Sequence, residues 1–440
     1  MTVTPPATVV RPEFDQGVVQ RRVLRTLFSS QILGGVGVSI GLSVGALLTA
    51  EMVGVSSSGL AQSSAVLGAA LLAVPVVRLM RRYGRRPGLV AAYLAALIGG
   101  VTVVAAALIP SVPLLFLGLF LFGGGTTANN QARFVAVDLA PPDRRARHLS
   151  LIMWATTLGV VVGPNLAPLV GRALAATGVP TLASPFLLSV VLFGLAGLVV
   201  LVRLRPDPLR LAERLRATAE ASTPRAAASA PPAATGEAAS AGIWAAVTAL
   251  TALPAARLGL AAMSVGHLVM IAVMAMTPVH ILEAGHSDAD TLRIVGLVIS
   301  IHVVGMFAFS PLTGWLADRY GRRPVILGGI GLLLAACAIA GTAGHDPVRL
   351  TIGLFLLGLG WSGTMVAGST LFSESVPERL RPSAQGLGDL TVGLAGASAG
   401  ALAGLVLAWA GYATLTLLAA IATVPLTVLA LRPVRERLYG

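Results

Sequence analysis

The 440-residue sequence contains no lysine, so all 31 of its basic side chains are arginine. It has one cysteine, Cys337, which excludes a disulfide framework and any multi-cysteine metal site. Charge is scarce, at 11% of residues, against about 25% in a soluble domain. So few charges cannot clothe a water-soluble surface, and three soluble domains are ruled out. No phosphate-cradling loop or nucleophile–base pair sits in a soluble element, so no enzyme and no cofactor are expected. What is present is apolar: 55% of residues fall in the AVILMFWYC set, and the mean hydropathy is +0.85. A helix crossing a hydrocarbon core about 30 Å thick needs about 20 apolar residues, and the chain has room for about twelve.

The formal net charge of +13 is not a nucleic-acid signal. The arginines stand in short clusters between apolar runs, where they act as topology determinants. Apolar runs fall near residues 26–51, 58–80, 88–110, 112–139, 148–173 and 183–203. A second set falls near 256–282, 292–317, 325–343, 350–373, 383–409 and 412–431. The first 25 residues carry prolines and charges with no separate apolar core, so the first span is expected to serve as an uncleaved insertion signal. With the N-terminus inside, cytoplasmic segments hold 27 arginines and external ones hold three, Arg172, Arg293 and Arg349; Arg133 lies within a span. That asymmetry puts both termini in the cytoplasm of a multi-pass cell-membrane protein.

Residues 1–203 form a first six-helix bundle and 256–431 a second, with a cytoplasmic linker at 204–255 and a cytoplasmic tail at 432–440. Asp207-Pro208 reads as a helix start, opening a short amphipathic helix from Leu209 to Ala219. Residues 222–242 are Ala/Pro/Ser/Thr/Gly-rich, a flexible tether. The two bundles repeat in sequence: RRYGRRP at 81–87 recurs as DRYGRRP at 318–324, an offset of 237. The same offset maps Gly123 onto Gly360, Gly159 onto Gly396 and Gly163 onto Gly400. Pro142-Asp143-Arg144 finds a near-copy in Pro377-Glu378-Arg379. Such parallel repeats hold substrate near the midplane between rocking halves.

The run Gly314 to Arg323 resembles the helix 8–9 loop motif of the major facilitator superfamily, and the resemblance covers nearly the whole chain. It implies an all-α membrane fold of 12 transmembrane helices in two six-helix bundles and a secondary transporter. It also implies a gating role for Asp318, Arg319, Arg322 and Arg323. In the first copy Val77 replaces the leading glycine and Arg81 the aspartate, so the usual latch there is in doubt. Gly159-Val-Val-Val-Gly163-Pro164 in helix 5 is similar to the Gly-x-x-x-Gly-Pro motif of proton-coupled antiporters. Its glycines allow close backbone approach and its proline bends the helix. Gly37, Gly41 and Gly45 repeat that spacing in helix 1, as do Gly396, Gly400 and Gly404 in helix 11.

Helix 4 carries Asn129, Asn130, Gln131, Arg133 and Asp138 in an apolar run. Ionisable groups at that depth mark functional positions by default. Asn129, Asn130 and Arg133 are therefore candidate substrate contacts, with a purely helix-holding role for Arg133 as the competing reading. Asp138 and Asp389 are the carboxylates best placed for proton coupling, although each also has arginines near enough in sequence to pair with. His280 after Pro278, and His286 beside Asp288 and Asp290, read as solvated residues near the external loop, with a metal entry funnel as the alternative.

Helix 7 places His267, Met270 and Met274 on one face, and helix 8 adds His302 and Met306 four residues apart. Thioether and imidazole together suit Cu(I), whereas methionine alone is ordinary core filler. The pairs Met270/Met274 and His302/Met306 resemble the Met-x-x-x-Met and His-x-x-x-Met motifs of the CcoA-type copper importers. That resemblance implies copper as substrate, with Met270, Met274, His302 and Met306 as ligands and His267 as an auxiliary. The alternative is proton-coupled efflux of hydrophobic small molecules; a non-transporting membrane sensor is a third reading. The expected partners are a small molecule or metal ion and the lipid bilayer, with no nucleic acid and a monomeric carrier.

Overall fold

The computed structural model describes residues 16–432 apart from 142–143, 175, 177, 222–247, 249–251, 286 and 378–379. The tether reading of 222–242, His286, Asp143, Glu378 and Arg379 therefore lie outside the described residues. Those described form helices and connections without a strand. The first half contains α1 (Gln16–Val53), α2 (Ser58–Tyr83), α3 (Arg85–Leu108), α4 (Val112–Phe122), α5 (Gly124–Val135), α6 (Arg145–Ala173) and α7 (Ser184–Arg203). The connection holds α8 (Pro208–Ala221). The second half contains α9 (Pro254–Leu282), α10 (Asp288–Phe307), α11 (Ser310–Tyr320), α12 (Arg322–Gly341), α13 (Pro347–Ser375), α14 (Arg381–Ala422) and α15 (Val424–Leu431).

Eleven helical runs among the described residues are long and apolar enough to cross a membrane. The last of them, Ala384–Leu431, has 48 residues, about 70 Å at about 1.5 Å per residue, more than twice a bilayer core. It breaks at Gly411, whose φ of 77° is the left-handed conformation that glycine adopts without strain. Two crossings result, and the total is twelve. Two further spans are interrupted where the apolar pattern alone shows continuity. The fourth breaks between α4 and α5 at the Gly123-Gly124-Gly125 run, and the eighth between α10 and α11, where Pro311 brings no backbone donor.

Each half has its own core. In the first, Phe122 meets Phe186 and Phe193 edge-on, at 5.4 and 5.1 Å between ring centroids. In the second, Val273, Met276, Leu333, Leu354 and Leu357 are fully buried together. Lipid offers no hydrophobic drive for helix association, so contact depends on small residues and polar bonds. Gly35 of α1 and Gly159 of α6 lie so close that a Cβ on either meets the other's backbone.

The halves touch at one end, where the connections between α1 and α2 and between α9 and α10 lie. There Gly59 of α2 sits under Gly400 and Gly404 of α14, and a Cβ at Gly59 would fall on the Gly400 carbonyl. Ser63 Oγ donates to the Ala397 carbonyl at 2.7 Å, and Ser58 Oγ to Met276 Sδ at 3.4 Å. On the opposite flank Asn165 Nδ2 donates to Ser300 Oγ at 2.5 Å, and Ser300 Oγ to the Val161 carbonyl at 2.9 Å. Toward the arginine-rich end Asn130 and Asp389 are exposed. Gly393, one turn from Asp389 and from Gly396, faces open space. A cleft between the halves therefore opens toward the arginine-rich end and is sealed at the other.

Gly59→Val would overpack this seal, a change costing about 1–3 kcal/mol. With Ser63→Cys as a probe in a Cys337→Ser background, the maleimide labelling rate at the sealed end should rise at least about fivefold; an unchanged rate refutes the seal.

Candidate functional site

The first-half wall of the cleft is α5, whose polar residues divide between two tasks. Asn129 is buried, and its carbonyl accepts from Gln31 Nε2 at 3.1 Å. The same amide reaches Thr156 Oγ1 at 2.9 Å. Tyr93 donates to the Ser30 carbonyl at 3.2 Å, with Asn129 Oδ1 3.4 Å away. Asn129 thus locks α5 to α1, α3 and α6 and does not face the cleft. Asn130, one residue on, is exposed. Arg133 donates through Nη2 to Asn130 Oδ1 at 2.9 Å and through Nε to the Asn130 carbonyl at 3.4 Å.

Across the cleft stands Asp389 of α14. Arg133 and Asp389 interact electrostatically from opposite halves without the close contact of an ion pair. Two turns further along α14, Gly396 makes room for His267 of α9: a Cβ there would lie 2.9 Å from the imidazole Nε2. The Trp361 indole N–H, which can only donate, bonds His267 Nδ1 at 3.2 Å. The His267 proton is therefore on Nε2. Phe307 meets Trp361 edge-on at 5.6 Å. The cleft thus pairs a guanidinium–amide wall with an aromatic wall, and Asp389 stands on the second-half side, two turns along its helix from Gly396.

The soft-ligand residues do not form one cluster with His267. His302 is fully buried and its Nδ1 lies 2.7 Å from the Leu354 carbonyl, seven residues before Trp361 on α13. Two helical turns, about 10 Å, separate these two anchoring points. A carbonyl only accepts, so Nδ1 donates and Nε2 carries a lone pair, buried and without a partner among the described residues. Met270, Met274 and Met306 are buried in the apolar core of the second half. Among the described residues no three His, Cys, Asp or Glu side chains come together as metal ligands.

His280 departs from its expected solvated position. It is 9% exposed, donates through Nε2 to the Gly344 carbonyl at 2.7 Å, and stacks on Tyr412 at 4.3 Å and on His345 at 4.7 Å. Helix α9 continues through His280, so Pro278 does not release it into a loop.

At the arginine-rich end the loop motifs form matching bridges. Arg322 contacts Asp318 at 3.2 Å and Glu374 at 2.7 Å. Arg323 donates to the Ala430 carbonyl and to that of Arg432, and Arg319 lies over the Trp315 and Tyr320 rings. In the first half Arg85 holds Asp138 through two bonds of 2.8 and 3.0 Å. Asp138 therefore spends both oxygens on the loop. The offset of 237 maps Arg85 onto Arg322 and Asp138 onto Ser375, next to Glu374. Sequence reasoning missed Glu374, Gln31 and Trp361; extending the repeat past the loop would have pointed to Glu374. Of the helix 5 motif, Gly159 packs on α1, Gly163 fits against Val36 and Ser39, and the Pro164 carbonyl lies against Gly296 of the other half.

The family model of the Major Facilitator Superfamily matches residues 27–289 and again 286–439. The MFS-type transporter YdeG of Bacillus subtilis (strain 168) is 38% identical over 408 residues, 92% of this chain and 90% of YdeG. The riboflavin transporter RfnT of Brucella anthropi is 28% identical over 422 residues, 95% of this chain and 96% of RfnT. Among solved structures, the nucleoside transporter NupG superposes with a TM-score of 0.68 at 16% identity, covering 94% of this chain and 97% of NupG.

The two loop bridges differ in strength. Asp138→Ala strips a partly buried arginine of its carboxylate, at a cost of about 1–3 kcal/mol. Glu374→Ala leaves Arg322 with Asp318 in an exposed setting and costs less than about 1 kcal/mol. Thermal unfolding in one detergent should rank Asp138→Ala well below Glu374→Ala; equal midpoints contradict the ranking.

Proposed function

The chain belongs to the Major Facilitator Superfamily, whose members are transporters and not enzymes, and from that premise we propose that it carries a small polar organic solute in the central cleft by alternating access. It is a multi-pass secondary transporter of the cell membrane; the substrate class, the site and the coupling are our reading. The observation that carries it is Arg133. Its guanidinium has five donors, and Asn130 is its only hydrogen-bond partner among the described residues. Asp389 faces it across open space. A guanidinium held only by a neutral amide is costly at membrane depth, and a solute carrying acceptor groups lowers that cost when it binds.

Trp361, His267 and Phe307 supply an aromatic surface suited to stacking against a flat solute. RfnT, a riboflavin transporter by name, supports a planar heteroaromatic class. Of the two carboxylates proposed for proton coupling, Asp389 is the one open to the cleft; Asp138 serves the loop bridge. The arginine asymmetry supports cytoplasmic termini, and the cleft then opens to the cytoplasm. Asp318, Arg319, Arg322 and Arg323, with Gly159, Gly163 and Pro164, act in this reading as the surfaces that part and meet during the cycle.

Riboflavin and a panel of planar heteroaromatic solutes, screened by thermal stabilisation of the purified protein, test the site. Arg133→Gln should weaken the stabilising ligand about 10- to 100-fold, the worth of hydrogen bonds to a charged group. Asp389→Asn should abolish proton-dependent accumulation in proteoliposomes while leaving binding intact. A ligand indifferent to both substitutions sinks the assignment.

Copper uptake is a second reading, favoured by His302. An imidazole whose Nδ1–H is held by a carbonyl and whose Nε2 is unpartnered has the form of a metal ligand, and Met306 lies one turn on. Cellular copper, measured by elemental mass spectrometry with and without the protein, should fall on Met270→Ala and on His302→Ala. Accumulation that both substitutions leave untouched removes copper from consideration.

A further inference from the structure

The first-half loop lacks the aspartate that its second-half copy has in Asp318; Arg81 stands in its place. A carboxylate nevertheless reaches that loop, from 121 residues away. Asp207 follows the end of α7, and its Oδ1 accepts from the backbone N–H groups of Leu209 at 3.1 Å and Arg210 at 3.4 Å, capping α8. Its Oδ2 accepts from the backbone N–H of Arg86 at 2.8 Å, in the first turn of α3. One carboxylate thus serves two helix N-termini, each of which carries unpaired donors and a partial positive charge. Gly84 beneath it has a φ of 103°, and a Cβ there would collide with the Asp207 carboxylate.

Further bonds fasten the same segment. The Arg210 guanidinium donates to the Arg82 carbonyl at the end of α2. Arg22 of α1 donates to the Arg205 carbonyl at 3.3 Å. Leu204, Leu211 and Ala212 are buried in the first-half core. Every one of these partners belongs to the first half. The second half closes its loop differently, through Arg323 on the carbonyls of Ala430 and Arg432.

We propose that Asp207 is a positioning residue for the gate, supplying from the connection between the halves the carboxylate that loop 81–86 has lost. The segment from Leu204 to Leu215 then travels with the first half as a clasp over the loop. The loop arginines keep one arrangement through Asp207 and Asp138 without an aspartate of their own. This goes beyond the substrate reading and is independent of it.

The test uses the full chain in lipid nanodiscs. Trypsin cuts after arginine, and cleavage after Arg225 provides the internal reference. By mass spectrometry, Asp207→Ala should raise cleavage after Arg210 and Arg214 about tenfold relative to Arg225, in line with the loss of a helix cap together with a second bond. Asp207→Asn should give a smaller rise, and Ala217→Ser, exposed on the same helix, none. The gate is read by spin labels at Tyr83→Cys and Tyr320→Cys in a Cys337→Ser background. Asp207→Ala should shift their distance distribution, and adding Arg81→Asp should return it to that of the parent. Unchanged cleavage, an equal rise with Ala217→Ser, an unshifted distribution, or no restoration by Arg81→Asp each overturns the proposal. Should Asp207→Ala not fold, Asp207→Asn against Ala217→Ser decides by the same readouts.

Discussion

Helices in a bilayer gain nothing from hiding apolar surface from one another, because lipid is as apolar as they are. The contacts in this protein must therefore come from close packing, which small residues promote, or from a polar bond that lipid cannot supply. Both kinds occur, and they are distributed unevenly. Inside each half they are dense: Gly35 against Gly159, Gly329 against Gly360, and the Gln31–Asn129–Tyr93–Thr156 network. Between the halves they are confined to one end, where Gly59, Gly400 and Gly404 meet and the Ser63 and Ser300 hydroxyls bond across. The interface consists of glycines, two or three hydroxyl bonds and a few apolar side chains such as Ala46 and Leu292, so it can part as a unit. Rigid halves joined by a separable seam are what alternating exposure requires.

Polar groups sort by the same logic. Asn129 is bonded to Gln31 and Tyr93 within its half and fixes α5; its neighbours Asn130 and Arg133 are left to the cleft. His267 is held by Trp361 at the cleft wall, whereas His302 is turned into its own half by the Leu354 carbonyl. Residues next to one another in sequence, or on one predicted face, therefore end in different roles. For the asparagines the difference is a partner on another helix: Asn129 has Gln31 and Tyr93, and Asn130 has only Arg133 of its own helix among the described residues.

Much of the architecture is legible in the sequence. Twelve apolar runs, the repeat at an offset of 237 and the arginine asymmetry require no tertiary knowledge, and the break expected between 409 and 412 coincides with Gly411. The interruptions of the fourth and eighth spans are not legible, since the apolar pattern runs through Gly123 and Ala308. His280 was misplaced for a related reason. Pro278 suggests an exit from the helix, but the Gly344 carbonyl and the Tyr412 ring, from distant segments, keep the histidine packed. For the site, the depth of Arg133 in an apolar run marks it, as does the carboxylate Asp389. Their opposition across the cleft depends on how two bundles dock, which no local pattern encodes.

The departures from internal symmetry carry more information than the symmetry itself. Both halves use a loop arginine to bridge a carboxylate at the end of their fourth span: Arg85 with Asp138, Arg322 with Glu374. A bridge kept in both copies belongs to the scaffold common to the bundles. Beyond it the copies diverge. The second half retains Asp318, 76% exposed and, among the described residues, paired with its own loop arginine. The first half has arginine at that position and draws a carboxylate from the connection instead, already bonded to two helix ends. One side thus presents an exposed charge and the other a clasped loop. In the gate proposed above, one half's loop closes onto a preformed surface of the other, and that surface is the one that the connection between the halves holds in place.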